Sequence, residues 1–321
     1  MSEVIVAFWT GTGNTAEMAE YVAEGIKEGG AEAKVVSVDD ISAADLKDAK
    51  ATDALTLVVT GAANASDLKA LDAKTSVAVD ASAVTAITGT AADVKTVLAA
   101  TTINTADNVV LNVTGTVSAA DANTIAKATD GKVTATVAAG TAASLNTALA
   151  NATTGNDALT LTVNGATATA AQLDVLDNKT SVAVKVDAAQ VTGTFTELNK
   201  VYVTNKANFT ALGNETVTID DATVVAANAN IIASATTGVV TATVAAATAA
   251  TLNAALTDTT VNAYTLTLTD TNLSSLTNLL ALDAKTSVAV NASNITAISE
   301  TYANLNTAYS SAGISGLGNE A

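Results

Sequence analysis

The nine residues Leu71–Val79, LDAKTSVAV, return as LDNKTSVAV at Leu176–Val184 and as LDAKTSVAV at Leu282–Val290, at offsets of 105 and 106 residues. A second string interleaves with them: VTATVAA begins at Val133 and again at Val240, 107 residues later. A unit that recurs at a fixed long period meets the same neighbours each time. The architecture that does this most simply is a stack of like coils, a solenoid.

Finer units lie inside that period. Runs rich in Val, Thr and Leu predict strands near Leu55, Val77, Val109, Val133, Leu159, Val182, Val217, Val240, Tyr264 and Val288. Each is followed by a helix-start signal, such as Asn64-Ala-Ser-Asp67, Thr90-Ala-Ala-Asp93, Ser118-Ala-Ala-Asp121, Thr169-Ala-Ala-Gln172 and Thr194-Phe-Thr-Glu197. In these the first side-chain oxygen accepts an orphan N–H and the acid or amide three residues on reaches back. Thr141 and Thr248 start similar segments without the acidic partner. Alternating strands and short helices imply parallel strands joined by right-handed crossovers, with Thr and Val forming ladders of like residues. Four coils make one superrepeat of about 106 residues. The C-terminal Gly316-Leu-Gly-Asn-Glu-Ala321 matches Leu212-Gly-Asn-Glu-Thr216, so the array is expected to be cut inside a longer one.

Composition excludes several chemistries. Apolar residues make up 49% of the chain but are mostly Ala and Val, and aromatics are 3%, which suits thin layers better than one large interior. There is no Pro, Cys or His, and all 14 positive charges are Lys. Disulfides, thiol chemistry and His- or Cys-ligated metals are therefore not expected. A net charge of −17 opposes nucleic acid and anionic membranes, so neither is expected as a partner. No apolar run approaches the ~18 residues of a membrane span. MSEVIVAFW lacks a basic leader, so as written the chain is expected to stay cytoplasmic.

The N-terminus has a different texture. Residues 3–9, EVIVAFW, predict a strand; Thr10–Thr15, TGTGNT, a loop; and AEMAEYVAEGIKEGG a helix with apolar Met18, Tyr21, Val22, Ala23 and Ile26, stopped by Gly29 and Gly30. Ala33–Val38 predicts a second strand and Ser42-Ala-Ala-Asp45 another helix start. This stretch resembles the start of a short-chain flavodoxin over about the first 50 residues. The family's phosphate loop, hydroxyl-x-hydroxyl-Gly-x-hydroxyl, is met by Thr10, Thr12, Gly13 and Thr15. The resemblance implies a phosphate, sulfate or FMN tail held by Thr10, Gly11, Thr12, Gly13, Asn14 and Thr15. Backbone N–H groups at a helix start and Thr hydroxyls do this without Lys or Arg. The family's later flavin-ring loops have no counterpart: TGAANASDL after the third strand carries nothing flat, and no aromatic lies between Tyr21 and Phe195. The expectation is therefore no bound cofactor, with FMN or a simple anion at the loop as the alternative.

Residues 53–321 also resemble, loosely, Thr/Ala-rich repeats of very large cyanobacterial surface proteins. The expected fold is thus an α/β solenoid with one parallel sheet: a flavodoxin-like cap over 1–52 and about ten repeat coils over 53–321. The expected function is a non-catalytic structural scaffold, an engineered chimera whose parent repeats belong at a cell surface. The alternatives are an FMN-binding electron carrier and a Ca²⁺-dependent adhesin, although no D-x-D-x-D-G loop is present. The LDxKTS motif reads as a helix end and turn, and the acidic pairs Asp39-Asp40 and Asp220-Asp221 as solvated or helix-capping. The later aromatics Phe195, Tyr202, Phe209, Tyr264, Tyr302 and Tyr309 fall at helical or strand spacing and read as core or gap-filling. Trp9, beside the loop, is expected at an edge. An open last coil or sheet edge predicts self-association.

Overall fold

The computed structural model describes residues 3–8, 14–37, 46–152 and 156–318. The chain divides into two compact units, Met1–Ala138 with Leu149–Thr160, and Ala139–Ala148 with Leu161–Ala321. The first holds β1 (Glu3–Phe8), α1 (Asn14–Glu28), β2 (Glu32–Ser37), β3 (Val58–Asn64), α2 (Ala65–Asp72), β4 (Val79–Thr90), α3 (Ala91–Ala99), β5 (Ile103–Thr105), β6 (Val110–Val117), α4 (Ala119–Lys127) and β7 (Val133–Val137). Next in the chain comes α5 (Ala142–Ala148), part of the second unit, and then β8 (Ala158–Thr160), part of the first. Among the described residues of this unit β1 and β2 pair only with each other, and a separate sheet runs β3-β4-β6-β7-β8 with β5 beside β4.

The second unit continues with β9 (Thr162–Val163), β10 (Thr167–Thr169), α6 (Ala170–Asp177), β11 (Val184–Val186), β12 (Gln190–Gly193), α7 (Phe195–Asn199), β13 (Phe209–Thr210), β14 (Thr216–Ile219), α8 (Ala226–Ala233) and β15 (Val240–Thr243). It ends with α9 (Ala249–Ala255), β16 (Ala263–Thr265), β17 (Asn272–Leu273), α10 (Thr277–Asp283), β18 (Val290–Asn291), β19 (Ala297–Ile298), α11 (Tyr302–Ser310) and β20 (Ile314–Ser315). Its sheets are β10-β12-β14-β15-β16, β13-β11-β9, and the pairs β17-β19 and β18-β20.

The fold is mixed α/β, and every strand pairing among the described residues is parallel. Each predicted strand is present within three residues of its expected place. The single sheet expected from the sequence is not observed; the strands form several small, separate sheets. The reason is a corner inside each coil. In the 12-residue β4, Val79–Ala81 pairs with β5 while Ala86–Thr90 pairs with β6. In the second unit the two halves are separate short strands, such as β9 and β10, which flank Gly165 at φ +110°. That backbone conformation suits glycine alone, so the ladder breaks there.

The helix starts follow the caps. Thr90, Ser118, Thr169, Thr194 and Thr248 each accept the N–H three residues on. Thr169 with Gln172 and Thr194 with Glu197 close the reciprocal box. Asn64 does not cap: its amide donates to Asp67 Oδ2 at 3.0 Å. Expected strand residues 55–57 precede β3, which instead extends through TGAAN to Asn64. The signal at Ser42–Asp45 lies outside the described residues.

Thin apolar layers form the core. Val191, Val217 and Val240 stand side by side in register and are fully buried, with Thr192, Thr218 and Thr241 beside one another in the next rung. Burial of each such valine stabilises the fold by about 1.5–3 kcal/mol. Tyr202, Tyr264 and Phe209 are buried as expected, but Tyr302 and Tyr309 are exposed on α11 and are not core. Helix α1 likewise departs from its apolar stripe. It buries the small Ala19 and Ala23 and leaves Met18, Tyr21 and Val22 exposed.

Candidate functional site

The sequence points to one site, the loop between β1 and α1. Trp9 and Thr10, Gly11, Thr12 and Gly13 lie outside the described residues. Asn14 and Thr15 are the first two residues of α1, the next described element after β1. A strand followed in the chain by a helix start is the order that an anion site at a helix N-terminus needs. The 15-residue helix is long enough to present a dipole there, but Glu17 already sits in its first turn and offers the same field a carboxylate.

The flavin-ring end of the site does not fit. A flavodoxin-type sheet places its first strand between the second and third, in the order 2-1-3. Here no β1–β3 pairing occurs among the described residues. β3 passes into α2 between Asn64 and Ala65, and β4 into α3 between Thr90 and Ala91, with no loop at either junction. Neither junction offers a segment to fold over a planar ring. Of the six loop residues only Asn14 and Thr15 are described, at the start of α1, and the described residues at the ends of β3 and β4 supply no bed for isoalloxazine.

The LDxKTS motif has a structural use in all three copies. Each copy spans a helix end, at Asp72, Asp177 or Asp283, and leads to a strand that begins with its last valine. Its threonine is buried. Thr75 Oγ1 donates to the Leu55 carbonyl at 2.6 Å and accepts the Val77 N–H at 3.0 Å. Thr286 repeats this with the Tyr264 carbonyl at 2.7 Å and the Val288 N–H at 3.2 Å. Thr180 accepts the Val182 N–H at 3.1 Å. Lys285 donates to the Asn253 carbonyl at 3.0 Å, at the C-terminal end of α9, where a cation is favourable.

Two further pegs escaped the sequence reading. Thr129 donates to the Val109 carbonyl at 2.7 Å and Thr236 to that of Glu215 at 3.3 Å. They accept the N–H groups of Gly131 at 2.9 Å and Gly238 at 3.0 Å. A signal was available: Thr-x-Gly recurs at both places, 107 residues apart. At Gly238 a Cβ would meet the Glu215 carbonyl oxygen at 1.9 Å, so the coils approach too closely for any side chain.

Among the described residues the Tyr202 hydroxyl is strongly perturbed, and it faces Glu215; both residues are buried. Tyr202 belongs to a π-helical turn, Lys200–Thr204, and its hydroxyl donates to Glu215. The same carboxylate accepts the N–H groups of Gly213 at 2.9 Å and Asn214 at 3.1 Å. Burial, and then the Glu215 carboxylate, hold the Tyr202 hydroxyl protonated far above its ordinary range. It therefore serves as a fixed donor and not as an acid or base near neutral pH.

Several other acids bond to a segment twenty or more residues away in the chain. Asp93 is held below the ordinary carboxylate range by hydrogen bonds from Lys69 and Thr90, and Asp121 by those from Lys95 and Ser118. Asp221 accepts the Phe195 N–H at the start of α7 at 2.5 Å, and Asp270 the Ala249 N–H at the start of α9 at 2.7 Å. Glu300 accepts the N–H groups of Thr301 at 2.8 Å and Leu276 at 3.0 Å, which lower its pKa. The helix-capping expectation thus holds at Asp221; Asp39 and Asp40 lie outside the described residues. Among the described residues no cluster of acids is arranged for a metal ion. No helix among them is long and apolar enough to cross a membrane.

Residues 6–85 match the Flavodoxin family, so the N-terminal region is similar to flavodoxins over less than a third of the chain. The match extends past the first 50 residues into β4. No curated protein matches the chain, and no solved structure does.

Proposed function

We propose that this chain is a non-catalytic structural scaffold, an α/β solenoid of stacked coils fronted by a flavodoxin-like segment that serves as its cap. One observation carries the reading: the polar side chains of each coil are directed at the backbone of its neighbour. Thr75, Thr129, Thr236 and Thr286 each donate to a carbonyl about twenty residues earlier, and Asp221, Asp270 and Glu300 cap the preceding helix. Side chains engaged in this way join coils and do not converge on a reacting centre. Strand order that follows chain order in the two larger sheets supports the stack. The junction of a flavodoxin-type start with a long-period array supports an engineered chimera. In a parent surface protein the array would act as a spacer or in adhesion.

A second reading is favoured by the family match: an FMN-binding electron carrier using Thr10–Thr15. An absorbance spectrum separates the two. Purified protein is mixed with excess FMN, desalted and scanned. The scaffold reading expects a colourless protein; a retained flavin spectrum would replace it with the electron-carrier reading.

A further inference from the structure

Asn164 is the one asparagine of the sequence that glycine follows. The pair stands at the corner between β9 and β10, where Gly165 has φ +110°. Both residues and the next, Ala166, are exposed. Neighbouring segments hold the pair at its outer ends. The Asn164 N–H donates to the Gly140 carbonyl at 2.9 Å, and the Gly165 carbonyl accepts the Ala189 N–H at 3.1 Å. Between those ties, the Asn164 carbonyl, the Gly165 N–H and the Asn164 carboxamide take part in no hydrogen bond among the described residues. A Cβ built on Gly165 would come near only Thr141 Cγ2 among them, at 3.3 Å, so this peptide unit is open on its outer side.

The sequence's one Asp-Gly pair, Asp130-Gly131, is the opposite case. The Gly131 N–H donates to Thr129 Oγ1 at 2.9 Å, and a Cβ there would meet the Val109 carbonyl oxygen at 2.3 Å. Two other positive-φ glycines, Gly61 and Gly115, follow threonine, whose side chain has no acyl carbon to attack.

We infer that Asn164-Gly165 is a site of spontaneous backbone modification, deamidating through a cyclic imide. Hydroxide or a buffer base takes the Gly165 N–H proton. The nitrogen attacks Asn164 Cγ, a C–N bond forms, and the Cγ–Nδ2 bond breaks; the amino group takes a proton from water and leaves as ammonia. Water then opens the imide at either carbonyl. Opening at Cγ leaves aspartate. Opening at the main-chain carbonyl leaves isoaspartate, with Cβ now part of the backbone. Glycine favours the attack because no Cβ crowds its nitrogen. The peptide unit between the two ties turns toward the side chain without breaking a hydrogen bond, so little local opening is needed. Isoaspartate lengthens the chain between the Gly140 and Ala189 ties and so strains the corner. Either product adds a carboxylate that is ionised at neutral pH. The inference is independent of the scaffold reading.

The test incubates the full chain in warm, mildly alkaline buffer, folded and in parallel in guanidinium chloride. Its peptides are followed by mass spectrometry with fragmentation that separates aspartate from isoaspartate. In the folded chain Asn164 should deamidate at least about tenfold faster than any other asparagine, give both isomers, and react faster as pH rises. Asp130 should form isoaspartate in guanidinium chloride only. Asn164→Gln should remove the fast modification and leave the circular dichroism spectrum unchanged. Deamidation of Asn164 only in guanidinium chloride would overturn the inference, because the folded corner would then protect it. A loss spread evenly over the asparagines would also overturn it. Isoaspartate forming at Asp130 equally fast in the folded and unfolded chain would refute the unbonded N–H as the deciding feature.

Discussion

Helix α1 is 15 residues long and α3 is nine, yet the shorter helix is the better anchored. α1 covers its strands with Ala19 and Ala23 and leaves Met18, Tyr21 and Val22 to solvent. α3 buries Val94 and Val97 and lies against both α2 and α4. It is tied on one side by Lys69 to Asp93 at 2.5 Å and on the other by Lys95 to Asp121. Length raises intrinsic helicity, but most helix stability in a folded protein comes from the buried face. The difference teaches that the repeats hold themselves together through neighbours, whereas the N-terminal segment depends largely on its own two strands.

Substitutions sharpen that comparison. Val217, fully buried in the middle of its sheet, should not tolerate Val217→Asp. An unpaired carboxylate there should cost at least about 3 kcal/mol, read as a collapsed urea midpoint. Val22→Asp on α1 should stay within about 0.5 kcal/mol. An equal loss at both sites would erase the distinction. Next in size is Leu173→Ala in α6, expected to cost about 2–5 kcal/mol, against a negligible effect for Met18→Ala. Thr286→Val keeps the shape but strips the peg from the Tyr264 carbonyl and the Val288 N–H. It should cost about 1–3 kcal/mol, and Thr286→Ser should restore most of it.

The smallest effect is in pH. Asp93, Asp121 and Glu300 have pKa values lowered by their partners in the fold. Their contribution is fully present above the ordinary carboxylate range and is lost as pH falls through the lowered folded values. Melting temperature should therefore be flat near neutrality and fall in acid. The Asp93→Asn/Asp121→Asn double variant should lose less on acidification than the unaltered chain. A steeper acid loss in that variant would refute the role given to these two carboxylates.

Local chemistry was legible in the sequence, and neighbour-dependent chemistry was not. Caps at Thr90, Ser118, Thr169 and Thr194 are local, because a side-chain oxygen and an N–H three residues on suffice. Strand places were legible because β-branched runs have few alternatives. The corners in β4 and at Gly165 depend on register between coils and could not be read from one strand at a time. The pegs at Thr129 and Thr236 were hidden because threonine is common here and its burial depends on a coil twenty residues earlier. Tyr302 and Tyr309 resembled core residues because aromatics at helical spacing look alike in the sequence whether or not their face is covered. Of the candidate site, the strand β1 and the helix start at Asn14 were legible. The direct junctions of β3 with α2 and β4 with α3 were not, since TGAANASDL looks like a loop and is largely strand.

Amide hydrogen exchange, resolved by peptide across the intact chain, tests the central claim most directly. The account predicts slow exchange through α3 to α10 and their strands, where each coil is held on two sides. It predicts markedly faster exchange across residues 14–37. Protection over residues 14–37 equal to that of the repeats would contradict it, because the N-terminal segment would then be an integral folding unit and not a cap on a self-supporting array.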